Sequence, residues 1–332
     1  MRISLNNPWR THPHHSGFVG VGTHSLWATV RGPTRSTHDP LLIFITGAGA
    51  SSATYVKLQQ SFGTHLRVLF YDRAGYDKST LPPLYALPEG KIYALDTARD
   101  LSKLLRATEL EPPYIIMSHS YGGIIARSFL ELHKTNLEAI SGMILVDSGT
   151  ELMFQLFPRI PSKELAAVAE NVDWNLLTHL KEQSGMSDAE WEYAIEAQKR
   201  CERATELEDT HASAHQLAVH HQLERQALGS KPLLVLKFNM AKDYQMLYDA
   251  GIKNGDGTAE EREKACVFVK TFELFHDQIA KSQCSLSENA RFKVYNAFGH
   301  DLPMRRPSII VQEVNEFLQC LKMRKNTHQV DS

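Results

Sequence analysis

Residues 115–123 read Ile-Ile-Met-Ser-His-Ser-Tyr-Gly-Gly, so an apolar run enters Ser118-His119-Ser120 and two glycines follow at once. A strand that turns sharply into a helix strains the backbone of the residue at its apex, and it leaves room only for small residues two before and two after. Ser118 and Gly122 meet that demand around Ser120, and Gly123 eases the helix against the strand. A turn of this kind holds a serine hydroxyl out for nucleophilic attack. The plainer role for Ser120 is an N-cap on an ordinary strand-to-helix turn.

A serine hydroxyl is a weak nucleophile at neutral pH and needs an adjacent base. Among 16 histidines, His300 is the best placed, because it follows the strand-like ARFKVY (290–295) by a short loop and precedes the last helix. That position carries it to the carboxyl edge of a sheet. Most of the others fall in the polar start of the chain, in helix-forming sequence, or in a helical block described below.

The elements that must position these side chains are legible as alternation. Short, almost wholly apolar runs at 41–46, 66–72, 114–118, 142–147, 232–238 and 290–295 suit parallel strands covered on both faces. Helical patterns at 92–110, 121–134 and 307–322 lie between or after them, the last with proline at its start. The run at 19–32, glycine-bounded and rich in β-branched and small residues, suits an antiparallel hairpin. This is an α/β alternation with a mostly parallel sheet. Residues 151–229 hold helix-friendly sequence and no strand, which reads as a helical lid inserted into a core of 18–150 and 230–325. Residues 1–17, polar and rich in His and Pro, read as a flexible lead-in.

At this point the chain resembles the α/β-hydrolase superfamily over roughly residues 20–150 and 230–322, with the lid unmatched. FITGAGASS (44–52) lies where that family has its His-Gly oxyanion loop, and YDRAGYDKS (71–79) is similar to its Asp-Arg-x-Gly-x-Gly-x-Ser stretch. SHSYGG (118–123) resembles its nucleophile elbow, and FGHDLPMRRP (298–307) its terminal Gly-His segment. Two positions depart from the pattern: Thr46 replaces the usual His before the oxyanion-loop glycine, and Asp77 replaces the second glycine of the Asp-Arg stretch.

The resemblance implies a triad in the chain order Ser, acid, His. Asp147, ending the run GMILVD, is the preferred acid; Asp243, after PLLVLKF but inside the helix-like MAKDYQMLYDAG, is the alternative. The same resemblance implies an oxyanion hole from the backbone N–H groups of Tyr121 and Ala48, with Gly47 and Gly49 allowing close approach.

Composition narrows the function class. The chain has 332 residues, 42% apolar and 22% charged, with 36 basic against 38 acidic residues, a net charge of −2. Neither nucleic-acid nor anionic-membrane binding is indicated, and no run is long enough to span a bilayer. The start of the chain lacks the apolar core of a secretory signal. Cys201, Cys266, Cys284 and Cys320 are scattered, as expected of reduced thiols in a cytoplasmic protein. TGAGAS (46–51) lacks the spacing of a nucleotide-binding loop. His211 and His215 lack the Glu of a zinc motif, and NGDGTAEEREK (254–264) lacks the final ligand of a calcium loop. No metal or cofactor is therefore expected, and no feature sets an oligomeric state.

The sequence thus predicts an α/β-hydrolase fold with a helical lid, acting on an ester, lactone or thioester of a small carbonyl substrate through an acyl-enzyme. Acyl transfer, cleavage of a carbon–carbon bond beside a ketone, and non-hydrolytic small-molecule binding remain open on the same side chains.

Overall fold

In the computed structural model, which describes residues 7–62 and 66–330 with side chains to residue 323, eight strands form one sheet. They are β1 (His14–Gly20), β2 (Ser25–Arg31), β3 (Leu41–Ile45), β4 (Val68–Tyr71), β5 (Tyr114–His119), β6 (Ile140–Val146), β7 (Leu233–Phe238) and β8 (Ala290–Tyr295). The order across the sheet is β1-β2-β4-β3-β5-β6-β7-β8. From β4 to β8 all neighbours are parallel, while β1–β2 and β2–β4 are antiparallel.

Both faces of the parallel strands are buried, which is why their sequences are continuously apolar. In β3, Leu41, Ile43 and Ile45 enter one core with Ile116, Ile125 and Leu145, whereas Leu42 and Phe44 enter the other with Met117, Phe70 and Ile144. The first face is covered by α3 (Ala94–Ala107) and α4 (Gly122–Leu132). The second is covered by α2 (Val56–Phe62) and by a C-terminal helix that begins at Pro307.

The hairpin starts earlier than its sequence suggests. Residues 14–17, expected in a flexible lead-in, pair with β2, with His14 opposite Arg31 and Gly17 opposite Ala28. A short helix, α1 (Pro8–Thr11), precedes them, capped by the Asn7 side chain on the Trp9 N–H at 2.9 Å. As β1 is an edge strand with little burial, pairing rather than apolar patterning defines it. Residues 1–6 of that lead-in lie outside the described residues.

Between β6 and β7 every regular element is helical: α5 (Glu151–Leu156), α6 (Lys163–Val168), α7 (Trp174–Thr178), α8 (Leu180–Ser184), α9 (Asp188–Leu207) and α10 (Thr210–Ala218). The Ser187–Glu190 capping box starts α9. Between β7 and β8 come α11 (Met240–Asn254) and α12 (Ala259–Ser282), which share a separate apolar core with α5 and α6 built on Phe157, Leu165, Tyr244 and Phe272. After β8 the chain forms α13 (Leu302–Arg305) and α14 (Pro307–Val330). Among the described residues, no helix is long and apolar enough to cross a membrane.

Candidate active site

Ser120 sits between the end of β5 and the start of α4 with φ +56°, a left-handed conformation that non-glycine residues adopt only under local constraint. The loop after β6 and the first turn of α4 supply the constraint, since the Gly149 N–H donates to the Ser120 carbonyl at 2.7 Å and the Gly123 N–H does so at 3.0 Å. Close packing explains the small neighbours. A Cβ on Gly122 would lie 2.4 Å from the Ile45 carbonyl oxygen, and one on Gly123 would lie 2.6 Å from Ser148 Cβ. Ser118 turns to Ser148 instead of facing Gly122, with their hydroxyls 3.1 Å apart. A Cβ on Gly47 would approach Ser120 Cβ to 2.8 Å, so the 46–51 loop lies directly over the serine.

His300, on the loop between β8 and α13, meets Asp147 at the end of β6: its Nδ1 is 2.6 Å from Asp147 Oδ2. The second carboxylate oxygen, Oδ1, accepts the Phe238 N–H at 3.0 Å. Burial alone would raise the Asp147 pKa, but the His300 hydrogen bond and charge outweigh it and hold the carboxyl below its ordinary range. Burial alone would lower the His300 pKa; the Asp147 hydrogen bond and charge reverse that and hold the imidazole above its ordinary value. An ionised Asp147 accepts from Nδ1–H, which leaves Nε2 of a neutral His300 unprotonated.

Asp243, the alternative acid, holds the main chain of His300, while the imidazole Nδ1 pairs with Asp147. Asp243 Oδ2 accepts the backbone N–H of His300 at 2.6 Å. Gly299 makes this possible, because a Cβ there would lie 1.9 Å from Asp243 Oδ1. Burial raises the Asp243 carboxyl to about 6 despite that hydrogen bond.

Two further side chains belong to the site and were not singled out from sequence. His119, the variable residue of the Ser-x-Ser turn, stacks on His300 with ring centroids 4.3 Å apart. Its Nε2 is 3.0 Å from the His300 carbonyl, which can only accept, so Nε2 carries the proton and Nδ1 accepts from the Tyr55 hydroxyl at 2.8 Å. Burial drives the His119 pKa down to about 3, consistent with that neutral tautomer. Arg73, from the Asp-Arg stretch, donates to the Thr46 carbonyl and hydroxyl at 2.8 and 2.9 Å and to the Gly47 carbonyl at 3.0 Å. Its charge is met by Glu208 at the end of α9, with Nε–Oε1 2.8 Å, and both side chains are buried. Tyr76 donates to Glu208 at 2.6 Å and accepts the Gly49 N–H at 3.0 Å.

The two departures from the resembled pattern thus have structural uses. Thr46 gives Arg73 a hydroxyl. Asp77, at φ +43°, takes Arg200 Nη2 at 2.6 Å and the Tyr193 hydroxyl at 2.7 Å, both from α9.

Two cavities flank Ser120 and share Ala48, His300, Asp301 and Trp174 in their walls. The smaller, about 190 Å³, is completed by Leu180, Met186, Trp191 and Ile195. The larger, about 550 Å³, is completed by Met153, Phe154, Met240, Tyr244 and Leu247, and Tyr121 also lines it. Trp174 is held in place by its indole N–H, which donates to Asp301 Oδ2 at 2.6 Å. Trp174, Trp191 and Phe154 therefore face cavities, whereas Phe157 packs into the helical core against Phe268 and Phe272. His211 and His215 pack as a tilted ring pair with centroids 4.5 Å apart, and among the described residues no three His, Cys, Asp or Glu gather as metal ligands. All four cysteines are free thiols, and burial raises the Cys201 thiol to about 11.

Comparison with known proteins agrees with the fold. A family model described as the alpha/beta hydrolase fold matches residues 40–193. The protein named AB hydrolase superfamily protein of Gibberella zeae is 28% identical over 96% of this chain and 100% of its own length. The protein named probable transporter efuK of Hormonema carpetanum is 29% identical over 98% of this chain, and the chain spans 46% of that protein. Among solved structures, the lip1 protein of Acinetobacter baumannii AYE superposes with a TM-score of 0.61 at 17% identity, covering 96% of this chain and 94% of its own.

Proposed function

This chain belongs to the α/β-hydrolase superfamily, and we propose that it is a serine hydrolase that cleaves a carboxylic ester, lactone or thioester of a small organic substrate. The observation that carries this reading is the convergence of a strained Ser120 with the His300–Asp147 pair on one cavity system. Ser120 Oγ attacks the substrate carbonyl carbon while His300 Nε2 takes its proton. Asp147 remains ionised and stabilises the imidazolium. The oxyanion is received by the N–H groups of Tyr121 and Ala48. The neighbouring Gly49 N–H is already engaged by Tyr76, and α4 begins directly after Tyr121, so the positive end of its dipole lies beside the Tyr121 N–H.

Collapse of the tetrahedral intermediate expels the alcohol or thiol, which takes the proton from His300. Water then attacks the acyl-enzyme with His300 again as base, and the acid leaves. The helices at 151–229 act as a lid, since α7, α8 and α9 wall the smaller cavity. Largely apolar walls suit an uncharged ester with apolar arms on both sides of the carbonyl.

Turnover of p-nitrophenyl esters, aryl lactones and acyl thioesters by wild type and Ser120→Ala tests this. Hydrolysis in at least one series that disappears in Ser120→Ala is expected. A folded wild type inert to all three overturns the reading.

A further inference from the structure

A second cavity of about 360 Å³ lies at the opposite edge of the sheet from Ser120. Its walls come from segments just before parallel strands: Arg35 and its neighbours before β3, Arg67 before β4, and Leu110–Pro112 before β5. Arg10, at the end of α1, completes it, so three guanidinium groups face one space. Among the described residues, Glu111 is the one carboxylate in the same wall.

Arg67 is the unusual member. Its side chain is buried, with the residue only 3% exposed, yet among the described residues its hydrogen bonds go to backbone carbonyls: His12 at 2.6 Å, Gly32 at 2.7 Å and Trp9 at 2.5 Å. Its Nε has no hydrogen-bond partner among the described residues. Arg35, half-buried, also donates to carbonyls, those of Asp39, Pro113 and Glu111. Carbonyl oxygens satisfy donors but do not cancel a charge, and a buried cation without a counter-ion is costly. Burial lowers the pKa of both arginines; at Arg67 the Arg35 charge adds to it and takes it to about 10, whereas at Arg35 Tyr114, Asp39 and Glu111 oppose burial and the Arg10 charge. Elsewhere in this chain buried arginines are neutralised by carboxylates, as Arg73 is by Glu208 and Arg127 by Glu151.

We propose that the Arg10–Arg35–Arg67 cavity is a binding site for a phosphate-type oxyanion, separate from the Ser120 site. The hydroxyls of Thr11, Thr34 and Ser36 in the same wall already donate to the Asn7 and Thr11 carbonyls and to Asp39, so the guanidinium groups carry the recognition. Planar guanidinium forks suit its paired oxygens. The space is large enough for a phosphate that carries an organic substituent.

The test is calorimetric titration with inorganic phosphate and, separately, glycerol 3-phosphate, at constant ionic strength set with NaCl. Sub-millimolar binding of phosphate is expected, weakened at least tenfold in Arg10→Gln and in Arg35→Gln. Ester turnover measured without phosphate is expected to be unchanged in Arg10→Gln. Tighter binding of glycerol 3-phosphate than of phosphate would identify an organic phosphate as the occupant; equal binding would identify the free anion. Arg67→Gln removes the hydrogen bonds that anchor Trp9 and His12 of the N-terminal segment, so the other two variants decide. No binding beyond the NaCl-matched control, or wild-type affinity in both Arg10→Gln and Arg35→Gln, overturns the proposal.

Discussion

The carboxylate of Asp147 meets the imidazole of His300 at 2.6 Å, across 153 residues of chain. Asp243 reaches the same residue from the other side and takes its backbone N–H at 2.6 Å. Two carboxylates therefore hold one histidine, by the ring and by the main chain, and the two contacts predict different losses.

Asp147→Asn should lower kcat by roughly 10³–10⁴, because an amide no longer fixes the required tautomer or stabilises the imidazolium. Asp243→Asn keeps an oxygen that can accept the His300 N–H and should cost less than about tenfold, on the scale of one altered hydrogen bond. Steady-state kinetics on both variants decides between them. If Asp243→Asn were the crippled enzyme, the acid would be misassigned.

The pH profile follows from the same pair. His300 must be neutral to act as base, so kcat/KM should fall as pH drops through its pKa, and Asp147 holds that pKa above the ordinary 6.5. The acid limb should therefore have its midpoint above 6.5. In Asp147→Asn the raising charge is gone, and the limb of the residual activity should move to lower pH. A limb that stays in place in the variant would mean that another group titrates.

Much of this arrangement was legible in sequence, and the remainder was not for identifiable reasons. The parallel strands announce themselves because burial on both faces requires continuous apolar runs, as residues 41–45 and 114–117 show. Residues 14–17 gave no such signal, since an edge strand is defined by pairing with β2 rather than by burial. Ser120 and His300 stood out through local sequence. His119 was hidden as the unconstrained position of the turn, although its stacking on His300 depends on spatial contact alone. Long-range partnerships such as Arg73–Glu208 and Asp77–Arg200, each more than a hundred residues apart, leave no local pattern.

Arg73 with Glu208 ties the loop above Ser120 to the end of α9. Glu208→Ala leaves a buried, unpaired guanidinium and should destabilise the protein by about 3–5 kcal/mol. The melting temperature should fall by roughly 10 °C, taking about 2–4 °C per kcal/mol for a chain of this size. Thermal unfolding monitored by circular dichroism checks this. A melting temperature within a degree or two of wild type would contradict the clamp.

Trp174, fixed by Asp301, forms a common wall of the two cavities beside Ser120. Trp174→Ala should join them and flatten the dependence of kcat/KM on acyl-chain length, in which one methylene can be worth roughly 1–3 kcal/mol at a shaped pocket. Trp174→Phe keeps an aromatic wall without the hydrogen bond and should retain most of the selectivity. A series of p-nitrophenyl esters from acetate to laurate measures it. An unchanged chain-length profile in Trp174→Ala would remove the tryptophan from specificity.

The most direct measurement is active-site labelling with a fluorophosphonate, followed by mass spectrometry of the modified peptide in wild type, Ser120→Ala and His300→Ala. The expected result is a single adduct on Ser120 in wild type, none at that position in Ser120→Ala, and labelling slowed by roughly 10³-fold or more in His300→Ala. A folded wild type that takes no label, or that takes it on another residue, would contradict an activated serine at this turn.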